Sequence, residues 1–356
     1  MTSVHIVLPN DIDDPMSPSG GNVYDRRMCQ GLNALGWSVD EHAVPGAWPR
    51  PDVTERANLA RVLAALPDHA LVLLDGLVAS AVPDVLVAEA RRLGLVVLVH
   101  MPLGHASPKL RCDEGEAMSA AVAVVTTSFW SRRRVLDLYP IPADRVHVAP
   151  PGVDAAPRVP GSDAGSELLC VAAVTPHKGH DVLVEALAKI PDVPWNCVCV
   201  GPLDRDPGFA DRLRAQTRAY GVADRIRFVG PCTGSDLDAR YAAADLLVLA
   251  SRGETYGMVV TEALARGVPV LATAVNGLPE ALGRAPDGSL PGILVRPDDP
   301  AALAGALQRW LGGLELRRQL RRSACGRRTT LTGWAITSKL ISNALSGTGT
   351  NVSADR

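Results

Sequence analysis

Residues 245–272 constrain the fold more than any other stretch of this 356-residue chain. An apolar run at 245–250 leads into a loop, a helical pattern then spans 258–266 and stops at Gly267, and a second apolar run follows at 268–272. Two short buried strands joined by a helix predict a right-handed crossover in a parallel sheet. The loop after the first strand then lies at the carboxyl edge of the sheet, where open α/β sheets bind ligands.

Two glutamates stand on either side of the turn in this unit. Glu254 lies in the loop and Glu262 on the helix, with Gly257 between them. A glycine at the turn lets a ligand approach the backbone, and the positively polarised first amides of the helix attract anions such as phosphate. Glu262 could then accept hydrogen bonds from the hydroxyl groups of a ligand. Spacing alone leaves a plainer interpretation open, because glutamates are common on the surface near helix starts.

Several segments around these glutamates match a known family pattern in the same order. The stretch Glu254 to Glu262 resembles the Glu-x7-Glu signature of the retaining family-4 glycosyltransferases, and Glu254-Thr-Tyr-Gly257 resembles their Glu-x-aromatic-Gly turn. Ala265-Arg-Gly-Val-Pro-Val270 resembles their Ala-x-Gly-x-Pro-Val segment, and Gly277-Leu-Pro-Glu280 resembles their Gly-x-Pro-Glu turn. The resemblance implies the GT-B fold, an α/β architecture of two Rossmann-like doubly wound domains facing across a cleft.

Length and charge agree with such a two-domain enzyme. A chain of 356 residues exceeds one ordinary core, and its 47% hydrophobic content is enough to bury two. The net charge of -2 gives no argument for a nucleic acid or an anionic membrane as a partner.

The beginning of the chain and its cysteines predict a cytoplasmic location. The first residues lack the charged region and the long apolar stretch of a signal peptide, and no run approaches the ~20 apolar residues of a membrane span. The seven cysteines form no paired two-residue-spaced motif, and several lie in strand-like runs. We therefore expect buried, reduced thiols.

The predicted N-terminal domain, residues 1–155, opens with a strand at 4–8, a loop containing Gly20 and Gly21, and a helix at 23–35. Such a unit could cradle a phosphate. The spacing is not Gly-x-Gly-x-x-Gly and no acidic residue is placed to clamp a ribose, so a dinucleotide site is not expected. In the resembled family a paired-glycine loop faces the cleft. The two glycines could equally form a tight turn with positive φ.

His100 follows a strand pattern at 95–99, and side chains at the carboxyl end of a parallel strand reach the ligand cleft. A lone histidine is more often packed and hydrogen-bonded than catalytic. The resemblance favours function here, because family members carry a histidine after this strand that faces the donor sugar and the acceptor. His105, on the next loop, is a weaker candidate.

Three adjacent arginines, Arg132, Arg133 and Arg134, lie at the start of a predicted helix. Such a cluster usually forms a solvated helix face. It could instead contact an anionic lipid or an anionic acceptor, which keeps a peripheral membrane contact open.

The remaining organisation follows from composition and from the resemblance. A proline- and glycine-rich stretch up to Gly165 indicates the interdomain linker. We predict a nucleotide-sugar-binding domain over 156–325, a helix over 326–345 that packs back on the N-terminal domain as in GT-B folds, and a disordered tail over 346–356.

Lys178 is the basic residue best placed to meet a diphosphate. It follows a strand at 167–174 and precedes Gly179 and a helix, in a chain whose other lysines are few. A surface lysine before a helix is the plainer alternative. The segment resembles the family's Gly-Arg-Leu-x-x-x-Lys-Gly pattern, except that Ala173 stands at the arginine position. That arginine normally shares the diphosphate charge, and Arg252 is a candidate to replace it.

The resemblance implies a role for each candidate residue. His100, Glu254 and Lys178 are the expected catalytic residues, with His100 orienting the sugar or acceptor hydroxyl, Glu254 facing the donor sugar and Lys178 stabilising the leaving diphosphate. The expected nucleotide-sugar contacts are Gly20, Gly21, Lys178, Gly230, Tyr256, Gly257, Met258 and Glu262, of which Gly230 lies beside the base and Glu262 holds the ribose. Neither a metal nor another cofactor is expected.

We therefore predict a retaining hexosyltransferase-type enzyme that moves a sugar from a nucleotide-diphosphate sugar to a hydroxyl of a small-molecule or glycan acceptor. A non-catalytic nucleotide-sugar binding protein would suit the missing arginine, and a nucleotide-sugar epimerase of the same fold is a lesser alternative. The sugar, the base and the acceptor depend on loops expected at 11–19, 102–112 and 201–207. The low aromatic content, 4%, mildly favours a small acceptor.

Overall fold

The computed structural model describes residues 2–16, 18–104 and 107–348, so His105 and the part of the predicted tail beyond 348 lie outside it. Two compact units divide the chain. The first contains residues 1–13, 20–152 and 333–356, and the second contains 14–19 and 153–332. Within the described residues, no helix combines the length and the apolar character needed to cross a membrane.

The first unit is built on six parallel strands with helices between them. In chain order its elements are β1 (Ser3–Pro9), α1 (Gly20–Ala34), β2 (Ser38–Val44), α2 (Val53–Ala64), β3 (Leu71–Asp75), α3 (Gly76–Ala79), α4 (Pro83–Glu89), β4 (Gly94–Val99), α5 (Pro108–Ala120), β5 (Ala123–Thr126), α6 (Phe129–Leu138) and β6 (Val146–Val148). The strand order is β2-β1-β3-β4-β5-β6. The order reverses between β1 and β3, which makes the carboxyl ends of these two strands the ligand crevice of this sheet.

The second unit is also a doubly wound parallel sheet, with three strands on each side of the reversal where the first unit has two and four. Its elements are β7 (Glu167–Val171), α7 (His180–Ala188), β8 (Asn196–Val200), α8 (Pro207–Ala219), β9 (Ile226–Phe228), α9 (Gly234–Ala242), β10 (Leu246–Leu249), α10 (Met258–Ala265), β11 (Val270–Thr273), α11 (Leu278–Leu282), β12 (Gly292–Val295), α12 (Pro300–Gly312) and α13 (Leu314–Arg328). The strand order is β12-β11-β10-β7-β8-β9, all parallel, so its reversal lies between β7 and β10. The predicted crossover at 245–272 is therefore β10–α10–β11.

The last helix, α14 (Trp334–Thr348), belongs to the first unit. It packs closely on α1, where a Cβ on Gly31 would lie 1.8 Å from Ser338 Oγ. Trp37 donates from its indole nitrogen to Ser342 Oγ at 2.9 Å, and Ile341 is 1% exposed. Residues 346–348 were expected to begin a disordered tail, but they complete this helix.

Three local predictions in the first unit need correction. Gly20 and Gly21 are the first two residues of α1 rather than part of a loop, and neither has a positive φ. The variable loop expected at 102–112 ends early, because Ser107 caps α5 by accepting from the amide of Leu110 at 3.1 Å. The strand β2 was not anticipated, since its sequence is largely polar, as an exposed edge strand permits.

Candidate active site

Lys178 and Glu254 meet at the crevice of the second unit. Lys178 ends a short 3-10 turn after β7, and Glu254 lies in the loop after β10, so each follows one of the two strands at which the order reverses. Lys178 Nζ donates to Glu254 Oε1 at 2.6 Å, and Ser251 Oγ donates to the same oxygen at 3.0 Å. The two residues that the sequence predicted to be catalytic in this half are therefore an ion pair at the expected ligand position.

The two loops that carry this pair are fastened to each other. The backbone amide of Arg252 donates to His177 O at 2.9 Å. Gly179 has a φ of 67° and approaches the end of β10 so closely that a Cβ there would lie 2.0 Å from Ala250 O. Only glycine fits such a position, because a side chain would be strained by the left-handed backbone and would clash with a carbonyl. This packing holds Lys178 beside Glu254.

Two helices begin at this crevice without a side-chain cap. Gly179 is the N-cap of α7 and Gly257 the N-cap of α10, both in the left-handed conformation, and neither has a side chain that could cap the helix. In α7 the carboxyl group of Asp181 accepts from its own amide and from that of Val182. Gly257 has a φ of 96°, and Met258 is the first residue of α10. Uncapped amides at a helix N-terminus, together with the helix dipole, form an anion-binding surface. The second unit thus offers a lysine and above all the N-terminus of α10 to a phosphate group.

Glu262 lies one turn into α10 and already has a hydroxyl partner. Tyr241 donates its phenolic hydrogen to Glu262 Oε2 at 2.7 Å, and the Arg266 guanidinium lies 4.6 Å from the centre of the Tyr241 ring. Burial raises the pKa of Glu262, and the Tyr241 hydrogen bond opposes that rise. The carboxyl group therefore accepts from a protein hydroxyl, and the predicted contact of Glu262 with ligand hydroxyl groups stays a prediction.

The other predicted donor contacts occupy loops at the same edge of the sheet. Gly230 lies two residues after β9, and its carbonyl accepts from the amide of Gly201, which follows β8, at 2.8 Å. Tyr256 is half-buried directly before Gly257, and burial raises the pKa of its phenol to about 12. Gly230 stands two strands away from Lys178 in the sheet order, so this face is broad enough for an extended ligand.

Arg252 does not take the place of the absent arginine at Ala173. Its guanidinium forms paired hydrogen bonds with Asp181 at 3.0 and 2.8 Å, and a further one with Asp298 at 2.7 Å. It also donates to the carbonyl of Pro176. Two carboxylates neutralise this arginine, so its charge is committed to holding the turn before Lys178.

In the first unit, His100 lies against two buried aspartates. His100 Nε2 is 2.7 Å from Asp25 Oδ1 and 3.5 Å from Asp75 Oδ2. Asp25 belongs to α1 and is 1% exposed, whereas Asp75 ends β3 and is 3% exposed. Asp75 Oδ1 also accepts from the amide of Leu77 at 2.6 Å, which fixes its carboxyl group at the start of α3. The edge of the Tyr24 ring packs against the imidazole, with ring centres 5.2 Å apart.

The close contacts in this cluster shift the pKa values of His100 and Asp75. Burial alone would lower the pKa of His100, but the charge and hydrogen bond of Asp25, with the charge of Asp75, raise it to about 9. Burial and the neighbouring Asp25 raise the pKa of Asp75 to about 7, although His100 and two backbone amides oppose that rise. At neutral pH the imidazole is therefore protonated and lies between two acidic groups.

Asp25 and Asp75 were missed as functional candidates by sequence reasoning. Asp75 lies at the carboxyl end of β3, just as His100 follows the carboxyl end of β4. The rule that selected His100, that side chains at the carboxyl ends of parallel strands reach the ligand, could therefore have selected Asp75 as well. Asp25 gives no comparable signal, because it is one acidic residue on an amphipathic helix. The arginines that follow Phe129 are partly structural, since Arg132 donates to the carbonyls of Val146 and Ala143 at 2.9 and 2.7 Å.

The second unit is similar to proteins of a known family. Residues 152–326 match the family described as Glycosyl transferases group 1. The chain is 33% identical over 232 residues to D-inositol 3-phosphate glycosyltransferase of Jonesia denitrificans, a match that covers 59% of this chain and 54% of that protein. It is 35% identical over 216 residues to the protein of the same name from Acidothermus cellulolyticus, covering 56% of this chain and 47% of the relative. The chain thus spans about half the length of the curated relatives it matches.

Solved structures share the fold over the whole chain. Sucrose-phosphate synthase from Thermosynechococcus elongatus aligns with a TM-score of 0.81 at 21% identity, over 99% of this chain and 100% of that chain. HepE of Anabaena, solved in complex with UDP-glucose, aligns with a TM-score of 0.79 at 18% identity, over 98% and 100% of the two chains. These similarities confirm the expected α/β class with two Rossmann-like domains. The domain at residues 152–326, about half of the chain, is similar to the group 1 glycosyl transferases, in agreement with the resemblance of its motifs to family 4.

Proposed function

We propose that this protein transfers a sugar from a nucleotide-diphosphate sugar to an acceptor hydroxyl, with retention of the anomeric configuration. The observation that carries the proposal is the Lys178–Glu254 ion pair, 2.6 Å long, at the strand-order reversal of the second unit. It lies where two helices begin without side-chain caps. A lysine and free helix amides suit the diphosphate, and a carboxylate beside them suits the sugar hydroxyls.

In this proposal, donor binding exchanges the partners of Lys178. Glu254 neutralises the lysine in the structure, and both side chains are largely shielded, 26% and 13% exposed. A diphosphate carries more negative charge than one carboxylate, so it would draw Lys178 Nζ to itself and free Glu254 to accept from the sugar. Lys178 and the amides of α10 would then stabilise the charge of the departing nucleoside diphosphate. The positive groups of the chain take the role of a metal in this scheme.

His100 would act as a hydrogen-bond donor from the first unit. Among the described residues its contacts to Asp25 and Asp75 both use Nε2, which leaves Nδ1 for a hydroxyl of the sugar or the acceptor. The protonated imidazole would favour an electron-rich oxygen. We assign the acceptor mainly to this unit, and we expect the protein to work in the cytoplasm, where its free cysteines stay reduced.

The names of similar proteins suggest which substrates to test first. HepE is solved with UDP-glucose, and the curated relatives are named D-inositol 3-phosphate glycosyltransferases. We therefore place UDP-sugars first among donors and phosphorylated polyols first among acceptors. Retention rests on the resemblance to the family, and the anomeric configuration of the product tests it.

A non-catalytic nucleotide-sugar binding protein is the second candidate. It is favoured by Ala173 at the arginine position together with the commitment of Arg252 to Asp181 and Asp298. Such a protein would bind the donor and neither transfer nor hydrolyse it. An epimerase would convert the donor without any acceptor.

A thermal-shift panel of UDP, GDP, ADP and dTDP and their sugars tests the proposal. A ligand that binds only the folded protein raises its melting temperature. We expect one nucleotide series to stabilise the wild type and to lose its effect in Lys178→Ala and Glu262→Ala. Lys189→Ala is the matched control, because Lys189 pairs with Glu185 and caps the far end of α7. The absence of any shift would contradict the proposal.

A turnover assay with the selected donor separates the candidate functions. Transfer to an acceptor, or slow hydrolysis of the donor, supports the transferase. Binding without turnover supports the binding protein, and conversion of the free donor to an epimer supports the epimerase.

A further inference from the structure

Three side chains that bind soft metals meet in the core of the second unit. Cys170 on β7 and Cys199 on β8 face each other in the strand register, and His180 is the first residue of α7. Each is 1% exposed. One ligand atom from each lies within 4.8 Å of the other two. The sequence indicated only scattered buried thiols, because the three residues belong to separate elements.

The separations suit a tetrahedral cation. Cys170 Sγ lies 3.7 Å from His180 Nε2. A zinc ion bound at about 2.3 Å to sulfur and about 2.0 Å to nitrogen in tetrahedral geometry requires those two atoms to be about 3.5 Å apart. A cation of that size therefore fits between these two ligands with almost no change in their separation.

The charges also fit. Cysteine binds a metal ion as the thiolate, and histidine binds it as the neutral imidazole. Two thiolates and a neutral imidazole around a divalent cation have no net charge. Oxygen-seeking cations such as Mg²⁺ and Ca²⁺ do not suit this ligand set.

The ring nitrogen of His180 that faces Cys170 is Nε2. Nδ1 is buried and makes no hydrogen bond to any described residue. The ring centre lies 6.5 Å from that of Phe228, which closes the cluster on another side.

We propose that Cys170, His180 and Cys199 form a structural site for a thiophilic divalent cation, with Zn²⁺ as the expected ion. His180 directly follows Gly179 and Lys178, so a cation bound here would anchor the turn that presents Lys178 to the crevice. The site holds this turn and takes no part in a reaction. Structural zinc sites usually have four protein ligands, but catalytic centres show that three protein ligands and a water are sufficient to hold the ion.

The first experiment uses the wild-type full chain and needs no substitution. Protein purified from zinc-supplemented medium should carry one equivalent of zinc after desalting, as measured by mass spectrometry of the metal. Cd²⁺ added to the metal-free protein should produce ultraviolet sulfur-to-cadmium charge-transfer absorption that saturates at one equivalent. Lack of zinc together with lack of this absorption would overturn the proposal.

Variants then assign the binding to these residues. Cys170→Val and Cys199→Val keep an apolar side chain in the strand and should weaken zinc binding at least tenfold and reduce the cadmium absorption. Cys29→Ala is the matched control, because Cys29 is equally buried but lies on α1 in the first unit, and it should bind like the wild type. Equal stoichiometry and absorption in the Cys170 and Cys199 variants would mean that the cation sits elsewhere, which contradicts the assignment. These readouts do not depend on nucleotide-sugar binding.

Discussion

Both units of the protein are doubly wound parallel sheets, but they differ in strand order and in the charge at the point where that order reverses. In the first unit this point carries Asp25 and Asp75 around a protonated His100. In the second unit it carries Lys178, Glu254 and two helix N-termini without side-chain caps. The fold therefore supplies the crevice in both cases, and a few loop and helix residues decide what each crevice can bind.

The charges explain why we assign the diphosphate to the second unit. The acidic side chains of Asp25 and Asp75 do not favour a phosphate group, and the imidazolium between them is already compensated. The second unit has one carboxylate, which can release its lysine, and backbone amides that need no proton exchange. The first unit is better suited to neutral hydroxyl groups, which can accept from His100.

Glu254→Gln should have the largest effect on turnover. The amide keeps the size of the side chain but cannot hold Lys178 as an ion pair or bind sugar hydroxyls as strongly. We expect kcat to fall about 100-fold, an effect typical of removing one transition-state contact. Affinity for the nucleoside diphosphate should stay the same or increase, because Lys178 no longer has a competing carboxylate. Steady-state kinetics and calorimetric titration of the diphosphate measure the two effects, and a parallel loss of affinity would contradict the partner exchange.

Gly179→Ala should show how tightly the crevice of the second unit is built. The new Cβ would lie 2.0 Å from Ala250 O at a φ of 67°, whereas at Gly221, with a φ of 70°, it would meet nothing within 4 Å. We expect a loss in the free energy of unfolding of about 3 kcal/mol for Gly179→Ala and about 1 kcal/mol for Gly221→Ala, since the second substitution adds only backbone strain. Urea denaturation measures both. Equal losses would show that the contact between the loops is loose.

Asp25→Asn should lower turnover through the first unit and leave diphosphate binding unchanged. It removes the main group that keeps His100 charged, so the pKa of His100 should fall and its donor strength with it. We expect kcat to fall about tenfold, with the alkaline limb of the pH–rate profile shifted to lower pH. The KM for the donor should change little. An unchanged pH profile would mean that Asp25 serves packing alone.

The pH dependence of stability gives the smallest expected effect. The folded-state pKa of His100 is raised from 6.5 to about 9, so its stabilising contribution is complete below pH 6.5 and is lost as the pH rises through 9. The pKa of Asp75 is also raised, from 3.8 to about 7, so its contribution is lost as the pH rises towards 7. We expect the melting temperature to fall between pH 7 and pH 10, and to fall less in Asp25→Asn. A larger fall in the variant would contradict the charge assignment.

Local motifs in the sequence were sufficient to predict the fold of the second unit and to select Lys178 and Glu254 as candidates for its site. Lys178 and Glu254 each follow a buried strand, and a rule about the edges of parallel sheets places both in one crevice. The sequence could not predict that they form an ion pair, because they are 76 residues apart and their side chains meet only through folding. The same limit applies to Asp25 and His100, which are separated by 75 residues.

Arg252 illustrates a different limit. Its position beside Glu254 made it a reasonable replacement for the arginine missing at Ala173, since proximity in sequence was all that could be judged. Folding brings Asp181 and Asp298 to it from two other loops, and these carboxylates fix its charge away from that role. The availability of a charged side chain depends on its neighbours in space, which spacing along the chain does not reveal.

The most direct test measures how variants of each crevice bind the same ligand. Calorimetric titration of the stabilising nucleoside diphosphate, starting with UDP, would be performed on the wild type, Lys178→Ala and Asp75→Asn. We expect at least a tenfold loss of affinity in Lys178→Ala, because one charge-assisted contact to phosphate is removed, and an unchanged affinity in Asp75→Asn. Unchanged affinity in Lys178→Ala, or an equal loss in both variants, would contradict the assignment of the diphosphate to the second unit.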